Sequence, residues 1–382
     1  MNTIKLYDND SYIKSFTATV LQCKKNDNKY QVVLDKTAFF PEGGGQLSDT
    51  GIIGDAKVYD VQIENDIIYH YCDTPLKENR QYKAEINFQE RFDKMQQHSG
   101  EHIVSGIIHK KFGFRNVGFH LGNNFITMDF DGELNNEQLL EIELLANKAI
   151  TDNVSFYAEY PDIDKLKTIN YRSKGDIDGE IRLVFVDGID ICACCAPHVN
   201  KSGEIGVIKF LHHEKNKGGI RIYAKCGMRA IKDIQTKYSN NSKISALLCA
   251  KADETAEAVE NLISEIRDLK YETTGLKRQI SELKIEALPT GQKALCLFAE
   301  GLNVGDMRYL ANKASNKCDI FGLFCENRVG FSYVCYYSSE NISEFAKSWG
   351  QKLGGKGGVS GNLLQGSVTA QKDTIEDFFK SL

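Results

Sequence analysis

The chain has 382 residues, of which 42% are hydrophobic and 26% are charged, and its net charge is −5. This length allows two or three domains, the mixed composition argues for a soluble globular protein, and the charge excludes a bulk polycation. No run of 18 apolar residues is present and the N-terminus lacks an apolar signal region, so we predict neither a transmembrane helix nor secretion.

The first part of the chain is predicted to be mainly β-structure with two helices. Residues 1–85 contain short runs rich in Val, Ile, Tyr and Phe between turn residues, which indicates a small barrel or curled sheet. Apolar residues and histidines recur at three- and four-residue steps in 88–112, which predicts a helix. The other elements predicted here are a hairpin at 117–131, a helix at 135–152 and strands at 154–160, 181–187 and 204–228.

The pattern changes at residues 252–288, where apolar residues step by three and four and leucine fills four successive d positions. This predicts a coiled-coil seam of about five heptads. We expect Gly275 to mark the reversal of a helical hairpin and Pro289 to end the segment. The predicted seam residues are Val259, Leu262, Ile266, Leu269, Thr273, Leu276, Ile280 and Leu283.

The C-terminal part, residues 292–382, alternates apolar strands with polar, helix-like segments and therefore looks like a compact α/β domain. It contains the run "WGQKLGGKGGVSGNLLQGSV", with seven glycines between Gly350 and Gly366. Basic residues form two islands: 205–232 has seven Lys or Arg against one Glu, and 345–372 has four Lys and no acid. Such islands in an acidic chain suggest a bound polyanion, although solvated faces give the same pattern.

Two short motifs carry metal-binding side chains. "HSGEH" places His98 and His102 at positions i and i+4 of the predicted helix, and "DICACCAPHVN" contains the pair Cys194-x3-His198. Eleven cysteines without an export signal indicate a reduced, cytoplasmic setting, where clustered Cys and His bind metal more often than they form disulfides. Three imidazoles and one thiolate are donors that zinc favours, so we predict one Zn²⁺ per chain; the alternative is a pair of semi-buried helix histidines. Cys192 is not counted as a ligand.

Three motifs in this order resemble the editing domain of alanyl-tRNA synthetases and the free-standing alanyl-tRNA editing proteins. They are "FFPEGGGQLSDTG" (39–51), "HSGEH" (98–102) and "CACCAPHVNKSGEIGVIKF" (192–210). The third is similar to the family pattern C-x-G-T-H-V-x-x-T-G-E-I-G, with Cys194 on the cysteine. "GGIRIYAKCGMRAI" (218–231) is similar to the basic strand that follows, and "LGGKGGVSGNLLQGS" resembles the signature of a C-terminal domain shared with DHH-type phosphoesterases.

The resemblance implies an α+β chain with four parts. These are the β-barrel part of an editing module (1–87), a zinc-binding α/β editing domain (88–240), a coiled-coil helical hairpin as linker (241–289) and a Gly-rich α/β domain (290–382). It implies an aminoacyl-tRNA deacylase that hydrolyses the ester of alanine tRNA charged with serine, or secondly with glycine. It also implies tRNA as the partner, no membrane, and homodimerisation through the coiled coil and the C-terminal domain.

The resemblance also assigns roles to single residues. Thr37 is similar to the hydroxyl-sensing threonine of the family, and Gln46 and His120 are further candidates for the reaction site. Gly43, Gly44 and Gly45 permit close approach of the backbone to the substrate. Arg221 and Lys225 share one face of a predicted strand and suit phosphate contact, with Lys356 as a further tRNA-binding candidate. Lys217 and Arg229 are weaker candidates.

Three other functions remain open at this point. The editing domain of threonyl-tRNA synthetases has the same His-x3-His and Cys-x3-His pairs, although "PEGGGQ" favours the alanyl type. A non-catalytic, zinc-stabilised tRNA-binding protein would need the same ligands. A phosphoesterase activity of the C-terminal domain is disfavoured, because no paired Asp/His cluster is seen there.

Overall fold

The computed structural model describes residues 3–26, 29–173, 180–339 and 341–382. Its mixed α+β class agrees with the prediction. The chain divides into two compact units, Met1–Asn240 and Asn241–Leu382. Among the described residues, no helix is long and apolar enough to cross a membrane.

The first unit begins with β-structure and continues with alternating helices and sheets. Its elements are β1 (Ile4–Lys5), α1 (Leu6–Asn9), β2 (Ser15–Asn26), β3 (Lys29–Leu34), β4 (Lys36–Thr37), β5 (Gly51–Ile53), β6 (Ala56–Glu64), β7 (Ile67–Cys72), β8 (Gln81–Ile86), α2 (Phe88–Phe112), β9 (Asn116–Leu121), β10 (Ile126–Phe130), α3 (Asn136–Thr151), β11 (Phe156–Glu159), α4 (Ile163–Thr168), β12 (Leu183–Val186), β13 (Asp190–Ala193), a 3₁₀ turn (Ser202–Ile205), β14 (Ile208–Asn216), β15 (Gly219–Cys226) and α5 (Gly227–Leu248), which runs on into the second unit.

Six strands of the N-terminal region pair around a closed ring in the order β2-β3-β7-β6-β5-β8. Along β7, buried and half-buried residues alternate, as expected for a strand with one face toward a core. The ring interior is filled by aliphatic side chains such as Val20, Leu34, Ile53 and Ile68, each of which is buried. The glycine motif lies in the loop between β4 and β5.

Helix α2 follows the barrel directly and has the bounds predicted for it, Phe88–Phe112. The Asn87 side chain accepts the Glu90 N–H at the start, and Gly113 ends the helix in the left-handed conformation, with φ of 73°. Most of its side chains between Arg91 and Ile108 are buried, because other elements pack around the helix. This packing fixes the positions of the two histidines of "HSGEH".

Two antiparallel sheets complete the first unit. One has the strand order β14-β15-β10-β9, and its core face carries buried residues such as Met128, Ile222 and Ala224. The other has the order β11-β12-β13 and leads into the cysteine-rich segment. The hairpin predicted at 117–131 is confirmed as β9 and β10, and the helix predicted at 135–152 as α3.

The second unit is built from long helices and one mixed sheet. After α5 its elements are α6 (Thr255–Glu286), β16 (Gln292–Ala299), α7 (Val304–Lys313), a 3₁₀ turn (Ala314–Asn316), β17 (Cys318–Asn327), β18 (Gly330–Tyr337), α8 (Ile342–Leu353), β19 (Lys356–Ser360), β20 (Leu363–Val368) and α9 (Lys372–Lys380). The sheet order is β16-β17-β18-β20-β19, so the Gly-rich run forms its last two strands. Residues Lys356–Ser360 of the edge strand are all exposed.

The expected reversal at Gly275 is wrong. Helix α6 runs without interruption from Thr255 to Glu286 and passes through Gly275, where an added Cβ would meet nothing within 4 Å. One glycine costs only about 1 kcal/mol of helix propensity, which a 32-residue helix can absorb. The chain turns instead between Leu248 and Thr255, where Asn241 donates to the Ala252 carbonyl at 2.6 Å.

Candidate metal and substrate site

Three imidazoles and one thiol meet between helix α2 and the loop after β13. The ligand atoms of His98, His102, Cys194 and His198 all lie within 4.8 Å of one another. The three histidines are almost completely buried, and Cys194 is half-buried. The two sequence motifs, almost a hundred residues apart, therefore form one cluster.

Hydrogen bonds at Nδ1 orient all three rings. His98 Nδ1 lies 3.0 Å from Gln46 Oε1, and His198 Nδ1 lies 3.0 Å from Ser99 Oγ. His102 Nδ1 lies 3.0 Å from Asp190 Oδ2. Because the carboxylate and amide oxygens can only accept, Nδ1 of His98 and of His102 donates, and the Nε2 lone pairs are left for a metal.

The donor distances fit a tetrahedral zinc ion. Cys194 Sγ lies 3.4 Å from His198 Nε2 and 3.7 Å from His98 Nε2. Zn–S and Zn–N bonds of ordinary length at a tetrahedral angle place sulfur and nitrogen about 3.6 Å apart. The residues present therefore suit this ion in donor type, number and spacing.

The loop that presents Cys194 and His198 is held by Arg182, the residue just before β12. Arg182 Nη1 donates to the carbonyl oxygens of Cys194 at 3.1 Å and Ala196 at 2.9 Å. The Cys194 N–H donates back to the Arg182 carbonyl at 3.1 Å, and Ser11 Oγ donates to the His198 carbonyl at 2.9 Å. These bonds fix the backbone on both sides of the thiol.

A buried ion pair between Asp190 and Arg172 orients the ring of His102. The Asp190 carboxylate accepts Arg172 Nε at 2.7 Å and Arg172 Nη2 at 2.7 Å, besides the bond from His102. Burial works against ionisation of Asp190, but the hydrogen bonds from His102 and Arg172 hold its pKa below the usual value. Cys192 lies in the same group, with its sulfur within 4.8 Å of the ligand atoms of His102 and Asp190.

The glycine loop borders the cluster on the barrel side. Added Cβ atoms at Gly43 and Gly44 would lie 3.9 and 3.7 Å from Cys195 Sγ. Gly45 has φ of 82°, and a Cβ there would lie 2.7 Å from the Phe119 carbonyl oxygen, so another residue does not fit. The loop is thus pressed against β9 and lies beside the cysteine-rich segment.

Gln46 is fully buried, and the two polar atoms of its amide differ in their hydrogen bonding. Its Oε1 is the acceptor for His98, whereas its Nε2 has no hydrogen-bond partner among the described residues. A buried amide N–H without an acceptor costs free energy, so such groups are usually satisfied by a ligand or water. Gln46, predicted from the sequence as a site residue, therefore lies beside the cluster and has a donor to offer.

Thr37 is buried and its hydroxyl already has two partners. Its Oγ1 lies 2.8 Å from His70 Nε2 and accepts the Phe39 N–H at 3.1 Å. His70 Nδ1 lies 3.0 Å from the Val32 carbonyl and must donate to it, so Thr37 donates to Nε2. One lone pair of the Thr37 hydroxyl is left, so a substrate hydroxyl could bind Thr37 as a donor.

His120 is exposed and lies on the face of β9 opposite to the cluster. The ring of its neighbour Phe119 lies 4.7 Å from that of His98, with an interplanar angle of 33°. Successive strand residues point to opposite faces, so it is Phe119 that reaches the cluster. This placement gives no support to a catalytic role for His120.

Two of the predicted phosphate-binding residues, Arg221 and Lys225, form ion pairs with carboxylates. Arg221 pairs with Asp129 through two bonds of 2.6 and 2.7 Å, and Lys225 Nζ lies 2.7 Å from Asp233 Oδ1. Burial patterns confirm that Arg221 and Lys225 share one face of β15. Lys356 lies on the exposed edge strand of the second unit, and Arg229 is paired with Asp93.

Several residues around the ligands were missed from the sequence. They are Ser99, Arg172, Arg182 and Asp190, whose partners are distant in the chain, so no periodicity or local motif marks them. Glu101, which lies between the two histidines of "HSGEH", is buried, and its Oε1 accepts from Ser105 and Asn116 at 2.7 Å. Its Oε2 lies 3.9 Å from His102 Nε2, which adds a carboxylate beside the cluster.

The chain was then compared with known proteins. Residues 181–223 match the family "Threonyl and Alanyl tRNA synthetase second additional domain", and residues 7–90 match "tRNA synthetases class II (A)". The chain is 31% identical to alanyl-tRNA editing protein Aarsd1-B of Xenopus laevis, over 92% of this chain and 88% of the relative. It is 28% identical to alanyl-tRNA editing protein AlaX-L of Pyrococcus horikoshii, over 98% and 96%, and 28% identical to alanine–tRNA ligase of Pyrococcus abyssi, over 100% and 44%.

Proposed function

The chain belongs to the family of alanyl-tRNA editing proteins, and on that premise we propose that it is an aminoacyl-tRNA deacylase acting on mischarged alanine tRNA. Serine is the first candidate for the wrong amino acid and glycine the second. Water attacks the carbonyl carbon of the ester, the bond to the ribose oxygen breaks, and that oxygen takes a proton. The observation that carries this proposal is the convergence of the histidine–cysteine cluster with the glycine loop and Gln46.

We propose that His98, His102, Cys194 and His198 hold one zinc ion per chain. A bound zinc ion would supply a fixed positive charge and Lewis acidity at this place. With four protein donors a bound zinc ion would be ligated as in structural zinc sites, so these residues would organise the pocket and leave no position open for water. The attacking water is then held by the protein around the ligands.

Gln46 is the residue we assign to the substrate carbonyl. Its Nε2 is a buried donor without an acceptor among the described residues, and its Oε1 is fixed by His98. A donor of this kind stabilises the negative charge that develops on an ester oxygen during attack by water. Gly43 and Gly44 carry no side chain beside Cys195, so the terminal adenosine or the amino acid can approach the backbone there, while Gly45 allows the loop to pack against β9.

Discrimination between serine and alanine needs a site that bonds the hydroxyl. An apolar pocket gains little from an added hydroxyl, whereas a polar group left unpaired strongly disfavours a substrate that lacks one. Thr37 remains the proposed hydroxyl sensor, and the second lone pair of its Oγ1 would accept the hydrogen of the serine hydroxyl.

The second unit is proposed to bind tRNA and to form a homodimer. Lys356 on the exposed edge strand is a candidate for phosphate contact. Helix α6 exposes the apolar residues predicted for a seam, such as Leu262, Leu269 and Leu276, which are 43%, 52% and 51% exposed. An apolar stripe at this spacing is typical of helices that pair with another helix.

A deacylation assay tests the function. Alanine tRNA carrying serine, glycine or alanine is incubated with the protein, and the remaining ester is measured over time. The expected order is rapid loss of serine, slower loss of glycine and no enhanced loss of alanine. Absence of hydrolysis of all three would refute the enzyme, and equal hydrolysis of the alanyl ester would refute proofreading.

A further inference from the structure

The sheet β14-β15-β10-β9 has an open face whose aromatic side chains have no part in the function proposed above. Its pairing register places His120, Thr127, Tyr223 and His212 side by side in one row across all four strands. The neighbouring row Phe119, Met128 and Ile222 packs into the core. Because side chains alternate, the first row lies on the solvent face.

Aromatic rings cluster on this solvent face. The rings of Tyr223 and His212 are stacked, with centroids 3.9 Å apart and an interplanar angle of 18°. Phe125, just before β10, meets Tyr223 edge-on at 5.3 Å. Phe125, His120 and His212 are exposed and Tyr223 is half-buried, although burying such rings would be favourable.

Charged side chains of both signs surround these rings, and the Tyr223 hydroxyl donates to Glu214 Oε1 at 2.8 Å. Arg221 and Lys225 flank Tyr223 on the same face of β15, and Lys209 lies opposite Lys225 on β14. Their carboxylate partners, Asp129, Asp233 and Glu143, position them. Arginine has five N–H donors and lysine three, so each cation retains N–H groups that can bind a phosphate beside its carboxylate partner. Aromatic rings between cations are the combination that binds single-stranded nucleic acid.

The open face is joined to the metal cluster by strand β9. On one side β9 carries Phe119 to the ring of His98, and on the other side it carries His120 in the aromatic row. β9 is the edge strand of the sheet, and its Leu121 N–H donates to the Gly45 carbonyl at 3.0 Å. RNA stacked on Tyr223 of β15 therefore has β10 and β9 to cross before it reaches the glycine loop.

We propose that this open face is a stacking platform for the unpaired bases at the 3′ end of tRNA, with Tyr223 and His212 as its central rings. Sheets that bind single-stranded RNA use exposed aromatic rings in this way. The inference rests on the proposed deacylation of tRNA, because it places the end that carries the ester. It identifies the ring stack, in addition to the cations, as the feature that binds RNA.

The test measures binding of a labelled RNA hairpin that ends in single-stranded CCA, and of the same hairpin with a blunt end. Tyr223→Ala is expected to weaken binding of the CCA hairpin about 10-fold and to leave the blunt hairpin unchanged. Tyr223→Phe keeps the ring and is expected to bind as the wild type does. Tyr157→Ala is the matched control, because Tyr157 is also exposed and stacked, on Phe185 of the other sheet, at 4.8 Å.

The outcomes separate this inference from the proposed function. A Tyr223→Ala protein that remains folded by circular dichroism but binds the CCA hairpin as tightly as the wild type overturns the platform. An equal loss in Tyr157→Ala overturns it too. In deacylation, the platform predicts a raised KM with little change in kcat for Tyr223→Ala. If the wild type hydrolyses no ester, the proposed function fails, whatever Tyr223 does to binding.

Discussion

The Nδ1 atom of His98 lies 3.0 Å from Oε1 of Gln46, 52 residues earlier in the chain. The bond joins the glycine loop of the barrel region to a metal-ligand candidate on α2. It also selects the tautomer of His98 that offers Nε2 to the cluster. The same glutamine therefore orients a ligand through its oxygen and offers a donor through its nitrogen.

Substitution of Gln46 separates these two tasks. Gln46→Glu keeps an oxygen for His98 but removes the N–H donor, so zinc content should remain near one per chain while kcat for seryl-tRNA falls about 100-fold. Gln46→Leu removes both, so zinc affinity should fall about 10- to 100-fold as well. Zinc is measured by elemental analysis and by release to a chromophoric chelator. A Gln46→Glu protein with full activity would contradict the donor role.

Cysteine variants identify the thiol ligand. Cys194→Ala should lose zinc, because one of four donors is removed, whereas Cys195→Ala and Cys192→Ala should keep it. Cys192 is the sharper control, because its sulfur lies within 4.8 Å of the ligand atoms of His102 and Asp190. Zinc per chain is measured after dialysis at equal protein concentration. Loss of zinc in Cys192→Ala with retention in Cys194→Ala would show that the other group of side chains binds the metal.

Removal of the Asp190 side chain should weaken metal binding, although it changes none of the four candidate ligands. In Asp190→Ala, His102 Nδ1 loses its acceptor and Arg172 is left buried without its carboxylate. We expect zinc affinity to fall about 10- to 100-fold and the melting temperature to fall. Asp187→Ala, in the turn before the same strand, is the control and should change neither. Cobalt substitution gives a second readout, since its absorption spectrum changes when a ligand moves.

Acid should destabilise the protein partly through His70. Burial lowers the pKa of His70 to about 4, from about 6.5 when exposed. Its contribution is fully present above pH 6.5 and is lost as the pH falls toward 4, because only the unfolded chain takes up the proton in this window. The total is roughly 3 kcal/mol. Urea unfolding at several pH values should show a shallower decline for His70→Gln, whereas His213→Gln, at an exposed position, should follow the wild type.

Charged residues on helix α6 should disrupt the proposed dimer. Leu269→Glu combined with Leu276→Glu places like charges on the exposed apolar stripe, and light scattering should then report a monomer. Tyr271→Glu is the control, because Tyr271 lies about 200° around the helix from Leu269 and is 85% exposed. A wild-type mass equal to one chain would contradict the dimer directly.

Much of the local structure could be predicted because its causes are local. The bounds of α2 follow from the spacing of its apolar residues and from Gly113, which ends it. The continuity of α6 through Gly275 could not be predicted from the sequence, because a single glycine is compatible with either a turn or a helix. Likewise, strand alternation shows that Phe119 and His120 point to opposite faces, but only packing shows which of them meets the cluster.

The sequence by itself determined the two pairs of candidate ligands, because His98 and His102 share one helical face and Cys194 and His198 lie in one short loop. The two members of each pair are four residues apart, so local chain geometry is enough to bring them together. The tertiary structure alone decided that the pairs meet, and that Gln46, Ser99 and Asp190 orient the rings from 52, 99 and 88 residues away. Such contacts arise from how the barrel loop, the helix and the small sheet pack around a buried polar cluster, whose groups must find partners once water is excluded.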